Sequence, residues 1–379
     1  MNDSSFGLYI HYPWCWSKCP YCDFNAYSIK AHQSNYETYT DQLLFDLIRD
    51  SAHYPFLKEI KSIYLGGGTP SLCPPYLIDK LIKKISTIFK LQDDCEITME
   101  ISPKTSYLDL CGFIDAGVNR FSVGLQSFNP LVLKTLGREH HDGESITILE
   151  SLKKTGIKNI NIDLMYGLSC QSIEDVLIDL KKAADFEVEH ISWYELAIEP
   201  NTIFSKKPEL KANADLLELM EEKGQFLLKE LGYNHYEVSA YCKNKKSRHN
   251  SAYWSYQDYL GIGAGAHSKI TLHPFQTIRT HKTRYPKDYL NYPKVIVDKV
   301  DRDSTDYLLN RLRLFSPITI KEMKKRLHDR DVEIILKWLY SRTDFDQIIL
   351  HDDGFELTTR GRQLINDLLL EFELFIDHR

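Results

Sequence analysis

The chain has 379 residues, with 47 basic against 53 acidic side chains and a net charge of −6. That length buries a full core and predicts one large domain plus a smaller one. The mild acidity excludes a general attraction to nucleic acid or anionic lipid, and no apolar run reaches membrane-spanning length. Residues 1–10 lack the basic start and long apolar core of a secretion signal. The eight cysteines, at 15, 19, 22, 73, 95, 111, 170 and 242, form no disulfide framework, so the expected compartment is a reducing cytoplasm.

The first strand signal is Gly7–His11, which leads into Cys15, Cys19 and Cys22. This C-x3-C-x2-C run gathers three soft ligands in one short loop. Three thiolates fall short of the four-ligand shell of a structural zinc, but they can hold three irons of a [4Fe–4S] cluster and leave the fourth open. The alternatives are three unrelated buried cysteines, or a zinc site completed by His11 or a distant residue. Strand-like runs follow at Ser62–Leu65, Glu96–Ile101, Arg120–Gly124, Asn159–Met165 and His190–Leu196. Between them lie amphipathic stretches at Tyr36–Asp50, Pro75–Phe89, Tyr107–Ala116, Gly143–Lys154 and Ser172–Phe186. Leu43, Leu44, Leu47 and Ile48 share one helix face, and Gly117 and Gly156 stand just past helical runs, where a left-handed cap is expected. Six β–α repeats predict an α/β fold with a parallel sheet and right-handed crossovers; a partial (β/α)6 TIM-like barrel fits the count.

In such a barrel the active site lies at the C-terminal ends of the strands. Cys15, Cys19 and Cys22 follow the first strand, and Gly66-Gly67-Gly68-Thr69-Pro70 follows the second. Glu100 ends the third, Gln126 and Ser127 follow the fourth, and Asp163 lies late in the fifth. Five successive units thus deliver a polar or Gly-rich element to one rim.

After Pro200 the pattern changes. Lys206–Asn213 reads as a linker or exposed loop, Leu216–Leu231 as a helix closed by Gly232, and Tyr233–His267 as a His- and aromatic-rich segment. Helices are expected at Ile318–Arg326, Asp331–Tyr340 and Thr359–Phe375, with a hairpin at Gln347–Leu357 around Asp352-Asp353-Gly354. The expected organisation is a barrel over 1–200, an extension over 201–300, and a mainly helical, winged-helix-like domain over 301–379. Glu356, Asp367, Glu371, Glu373 and Asp377 offset the nearby basic residues, so no basic stripe supports nucleic-acid binding there.

Five segments carry a resemblance. They are Leu8–Cys15 (LYIHYPWC), the GGGTP run, Arg120–Phe128 (RFSVGLQSF), Asn161–Leu168 (NIDLMYGL) and Asp258–His267 (DYLGIGAGAH). Together they resemble the coproporphyrinogen-dehydrogenase branch of the radical S-adenosylmethionine (SAM) proteins, nearly end to end. The resemblance favours the partial barrel and implies a [4Fe–4S] cluster held by Cys15, Cys19 and Cys22. It also implies a SAM site lined by Tyr9, Gly67, Gly68, Thr69, Glu100, Gln126, Arg138, Asp163 and Ala197, with Tyr21 packed near the adenine. Glu100 can accept from ribose hydroxyls, Arg138 can pair with the SAM carboxylate, and glycine backbone can approach its ammonium.

Two activities compete within that branch, an oxidative decarboxylase and a heme chaperone. The decarboxylase carries a fourth cysteine two positions after the third, where Phe24 stands here, and a long N-terminal extension ahead of the cysteines. The His249-Asn250-Ser251-Ala252-Tyr253-Trp254 stretch has the H-N-x-x-Y-W form of the heme-chaperone (HemW) branch. The resemblance therefore implies heme as a third cofactor and heme-accepting proteins as partners. Where SAM is cleaved it implies an electron donor such as flavodoxin or ferredoxin, and a homodimer is the candidate assembly. His249 is the candidate heme ligand, with Tyr253 and Trp254 able to stack on a macrocycle; the bland alternative is capping by His249 and core packing by the aromatics. Ser247 replaces a cysteine common in the family, which excludes thiolate ligation there. Ser169-Cys170 replaces a Pro-Gly, and Ile101-Ser102-Pro103 replaces Ala-Asn-Pro, which loosens one loop and removes one polar contact with SAM.

Overall fold

The structure is a computed structural model describing residues 5–30, 35–272, 276–299, 303–342 and 346–377. Strand β1 (Ser5–Tyr12) sets the pattern for the barrel. Phe6, Leu8 and Ile10 are fully buried, and Phe6 meets Phe89 of the helical layer edge-on. Tyr9 alternates to the opposite face and stacks beside Tyr64 of the next strand. The parallel strands β2 (Glu59–Gly67), β3 (Lys90–Ile101), β4 (Arg120–Gln126), β5 (Ile160–Tyr166) and β6 (His190–Glu195) follow in spatial order.

Crossover helices α1 (Tyr36–His53), α2 (Pro75–Ile88), α3 (Tyr107–Asp115), α4 (Asp142–Thr155) and α5 (Ile173–Asp185) cover the outer face. Leu43 and Leu47 of α1, and Leu77, Leu81 and Ile85 of α2, enter one core with Ile60, Ile63 and Leu65 of β2. Helix ends follow local chemistry. Ser106 and Ser172 accept from the N–H groups of Asp109 and Asp175, and Gly156 closes α4 at φ 80°.

The sheet continues well past these six strands. Helix α6 (Ala214–Glu230) leads to β7 (Asn234–Glu237) and β8 (Ala240–Cys242), which pair antiparallel outside β6. Helix α7 (Arg248–Trp254) precedes β9 (Tyr259–Ile262), which pairs parallel with β1. An antiparallel ribbon of β10 (His267–Leu272), β11 (Gln276–Lys282) and β12 (Val295–Lys299) completes a twelve-stranded sheet, ordered β12-β11-β10-β9-β1-β2-β3-β4-β5-β6-β8-β7.

Lys206–Asn213, expected as a linker or loop, is pinned to the end of β5. Two short 3-10 turns precede a Leu168–Lys211 bridge, and Ala212 N donates to Gly167 O at 2.9 Å. The C-terminal part has its own core, centred on Trp338, Ile335, Phe355 and Phe372, over a three-stranded sheet that includes the hairpin Ile348–His351/Gly354–Leu357. The expected helix Thr359–Phe375 is broken into Thr359–Gln363 and Ile365–Asp377. The break falls at Leu364, just after Gly361, where a Cβ would lie 2.0 Å from the Gln347 carbonyl oxygen.

Candidate functional site

The cysteine loop is closed at its base by Tyr27 N donating to Pro13 O at 2.7 Å and Ile29 N to Cys15 O at 2.9 Å. Cys22 N donates to Cys19 O at 3.0 Å, which tightens the turn between those two ligands. All three cysteines are free and line one cleft of about 440 Å³ at the C-terminal rim. Burial pushes the Cys15 thiol up to about 12 and also raises Cys22.

His11 is not placed to complete a zinc site. His11 Nδ1 pairs with Tyr9 Oη at 2.9 Å and Nε2 with Asn25 O at 3.0 Å, which leaves neither nitrogen for a metal. Among the described residues, no three His, Cys, Asp or Glu side chains gather as a single-ion site requires. Three thiols along one open cleft fit a cluster in which each thiolate takes a different iron.

The end of β2 is stitched to this loop. Gly68 N donates to Tyr12 O and Thr69 N to Trp14 O, both at 2.7 Å. A Cβ on Gly68 would stand 2.4 Å from the Trp14 carbonyl oxygen, so glycine is required for the approach. Glu100, at the end of β3, accepts from Gly67 N at 3.1 Å and from Tyr64 Oη at 2.9 Å. Burial raises its carboxyl to about 7, against the stabilising bond from Tyr64, and nearby Asp163 adds to the rise.

Gln126 ends β4 at φ 72°, a conformation costly for a non-glycine residue, and its Oε1 accepts from Tyr194 Oη at 2.5 Å. Arg138 donates Nη2 to Gly124 O at 2.6 Å and Nη1 to the Cys19 sulfur at 3.5 Å. This fixes a guanidinium beside the thiolates. Asp163 accepts from Ser122 Oγ at 3.1 Å and Asn161 Nδ2 at 2.8 Å, and burial raises its pKa. Tyr21, Gly67, Gly68, Thr69 and Ala197 line the same cleft as Glu100, Gln126, Arg138 and Asp163. Tyr9 instead lines a neighbouring hollow that shares Gly67 and Glu100 with the cleft.

Sequence reasoning missed Tyr64, Ser122, His140 and Tyr194, which also line the cleft. Tyr64 carried a signal: it lies two residues before Gly66, hence on the same face of β2. His140 carried none, since it sits in the loop after Arg138 and is buried only by the fold.

His249 departs from expectation. Helix α7 packs on β1, β2 and β3, where His249 meets Gly7 and Ser62, and Glu96 Oε1 accepts from Arg248 N and His249 N. His249 is 1% exposed, with Nδ1 2.9 Å from Ser62 Oγ and Nε2 2.8 Å from Tyr253 Oη. Its ring stacks on Tyr64, and a Cβ on Gly7 would lie 3.3 Å from it. With both nitrogens committed and no surface, this geometry does not supply an iron ligand. Ser247 caps α7 by accepting from Asn250 N, and Arg313 lies over the Trp254 ring at 4.4 Å. In this structure His249 is a plug, while Tyr253 of the same stretch lines the neighbouring hollow.

A sequence profile of the radical SAM superfamily matches residues 9–182. The chain is 37% identical to a protein of Haemophilus influenzae named heme chaperone HemW, over 97% of both chains. It is 42% identical to heme chaperone HemW of Escherichia coli, over 81% of this chain and 82% of that one. Among solved structures, the radical SAM coproporphyrinogen III oxidase HemN of Escherichia coli shares the fold, with a TM-score of 0.78, 22% identity, and coverage of 97% of this chain and 89% of that one.

Proposed function

The chain belongs to the HemW family of radical SAM proteins, and on that basis we propose that it is a heme chaperone that holds heme and passes it to acceptor proteins. The observation that carries the reading is 37% identity extending over 97% of both chains, so that the barrel, middle segment and C-terminal helices are all matched. The family brings a [4Fe–4S] cluster and SAM, and a reduced cluster supplies the electron that breaks a carbon–sulfur bond of SAM. On this reading Cys15, Cys19 and Cys22 hold three irons, and Arg138 beside Cys19 offsets the thiolate charge. Gly67, Gly68 and Thr69 offer backbone to the SAM amino-acid end, and Glu100 receives its ribose hydroxyls. Residues 1–200 then carry the cofactors and 201–300 the cargo, in a reducing cytoplasm with a flavodoxin- or ferredoxin-like donor.

The second reading, oxygen-independent oxidation of coproporphyrinogen III, has the HemN likeness behind it, and at 22% identity that is a likeness of fold alone. Phe24, 60% exposed where the decarboxylase branch has its fourth cysteine, also speaks against it.

Anaerobic assay of the reconstituted protein separates the two. Stoichiometric hemin uptake, followed by transfer to an apo-hemoprotein, is expected. Porphyrinogen decarboxylation coupled to 5′-deoxyadenosine release would move the chain to the second reading. The ligand set has its own check: Cys19→Ser should abolish the brown cluster absorbance while far-UV circular dichroism stays unchanged.

A further inference from the structure

A second hollow of about 680 Å³, within the range of cofactor sites, opens between β1, β9 and the β10–β11–β12 ribbon. It meets the thiolate cleft at Phe24, Gly67 and Glu100. On its ribbon side, His267 and His281 are direct partners in the β10–β11 ladder, with ring centroids 5.4 Å apart. Both are accessible: His267 is exposed, and the His281 side chain is 29% exposed.

His281 Nδ1 lies 3.0 Å from Asp298 Oδ2 on β12. The carboxylate must accept, so the proton sits on Nδ1. Nε2 has no hydrogen-bond partner among the described residues. A carboxylate behind one nitrogen is how metal-binding imidazoles are oriented. Tyr253 and Tyr259, with ring centroids 4.3 Å apart and planes tilted by 54°, line the hollow. At its edge Arg284 donates to Asn25 Oδ1 at 3.2 Å and pairs with no carboxylate among the described residues.

Among the described residues, no third His, Cys, Asp or Glu joins the two imidazoles to complete a site for a bare ion. An iron already held by four porphyrin nitrogens needs only an axial ligand. We infer that this hollow is the heme cargo site, with His281 as axial ligand, His267 beside it and Arg284 placed for a propionate. The inference rests on the heme-chaperone reading and deepens it, setting the cargo beside the SAM cleft rather than at His249.

Hemin titration of the cluster-reconstituted full chain, followed by its Soret band, tests the assignment. His281→Ala should weaken uptake about tenfold or more and shift the band, and Asp298→Asn should weaken it on the order of tenfold. His281→Met should bind with a thioether-type spectrum, which a folding defect cannot produce. Iron-free protoporphyrin IX should bind alike to wild type and His281→Ala. Unchanged spectra in His281→Ala and in the double variant with His267→Ala, with wild type binding, would overturn the site and leave the chaperone reading standing. Failure of wild type to take up hemin would overturn both.

Discussion

Glu100 shows how one buried carboxyl couples SAM binding to pH. Its pKa of about 7 makes it a hydroxyl-accepting carboxylate only above that value. SAM affinity measured calorimetrically should therefore rise as pH climbs through about 7, and Glu100→Gln should flatten the profile. The sign for stability is opposite to that of a paired surface carboxylate. The native state keeps a proton that the unfolded chain releases near its ordinary value of 4.5, so this group's contribution falls as pH rises from there to about 7. His249 offers a contrast in the same barrel. Its burial holds the imidazole neutral, with a pKa lowered to about 3, between Ser62 and Tyr253. His249→Ala should cost about 3 kcal/mol in denaturant unfolding, since it leaves a cavity and two unpaired hydroxyls. The Soret band of bound hemin should not move. Residue type and spacing set the three cysteines and Glu100 at one rim, and the family resemblance supplied their roles, whereas the standing of His249 depended on what surrounds it.

Among the elements, the end of β2 decides whether the cysteine loop can form. Its Gly-rich turn puts backbone against backbone at Trp14, immediately before Cys15, with no room for a methyl group. Gly68→Ala should cost about 2 kcal/mol through overpacking. It should also lower iron and sulfide bound per chain after reconstitution, which elemental analysis would read directly. The six barrel strands were visible because each is long and flanked by amphipathic helices. The added strands were not. At four and three residues, β7 and β8 are too short to show an alternating pattern, and they are strands because β6 offers them an edge. The same holds for His267 and His281, which lie fourteen positions apart in sequence and meet only through the β10–β11 ladder.

Among the described residues, the two largest hydrophobic cores are tied by polar contacts. Tyr256, just before β9, packs into the C-terminal core and donates to Asp306 at 2.9 Å, and Arg279 of β11 donates to the same carboxylate at 2.5 Å. Backbone bonds add to the tie: Val238 N donates to Arg313 O, and Phe315 N to Tyr236 O. Asp306→Ala should cost about 2 kcal/mol, the scale of hydrogen bonds to a charged group. Calorimetric melting should then separate into two transitions as the C-terminal part uncouples from the barrel. Among the described residues no helix is long and apolar enough to cross a membrane.

By itself, the sequence determined the chemistry at the rim and the repeating frame that carries it. Ligand spacing, glycine runs and helical periodicity are local properties, written within about ten residues of one another. The tertiary structure alone decided where the H-N-x-x-Y-W helix packs, which histidines keep a nitrogen free, and where the sheet stops. Those outcomes follow from pairing between strands far apart in the chain, and one-dimensional spacing carries no record of that pairing.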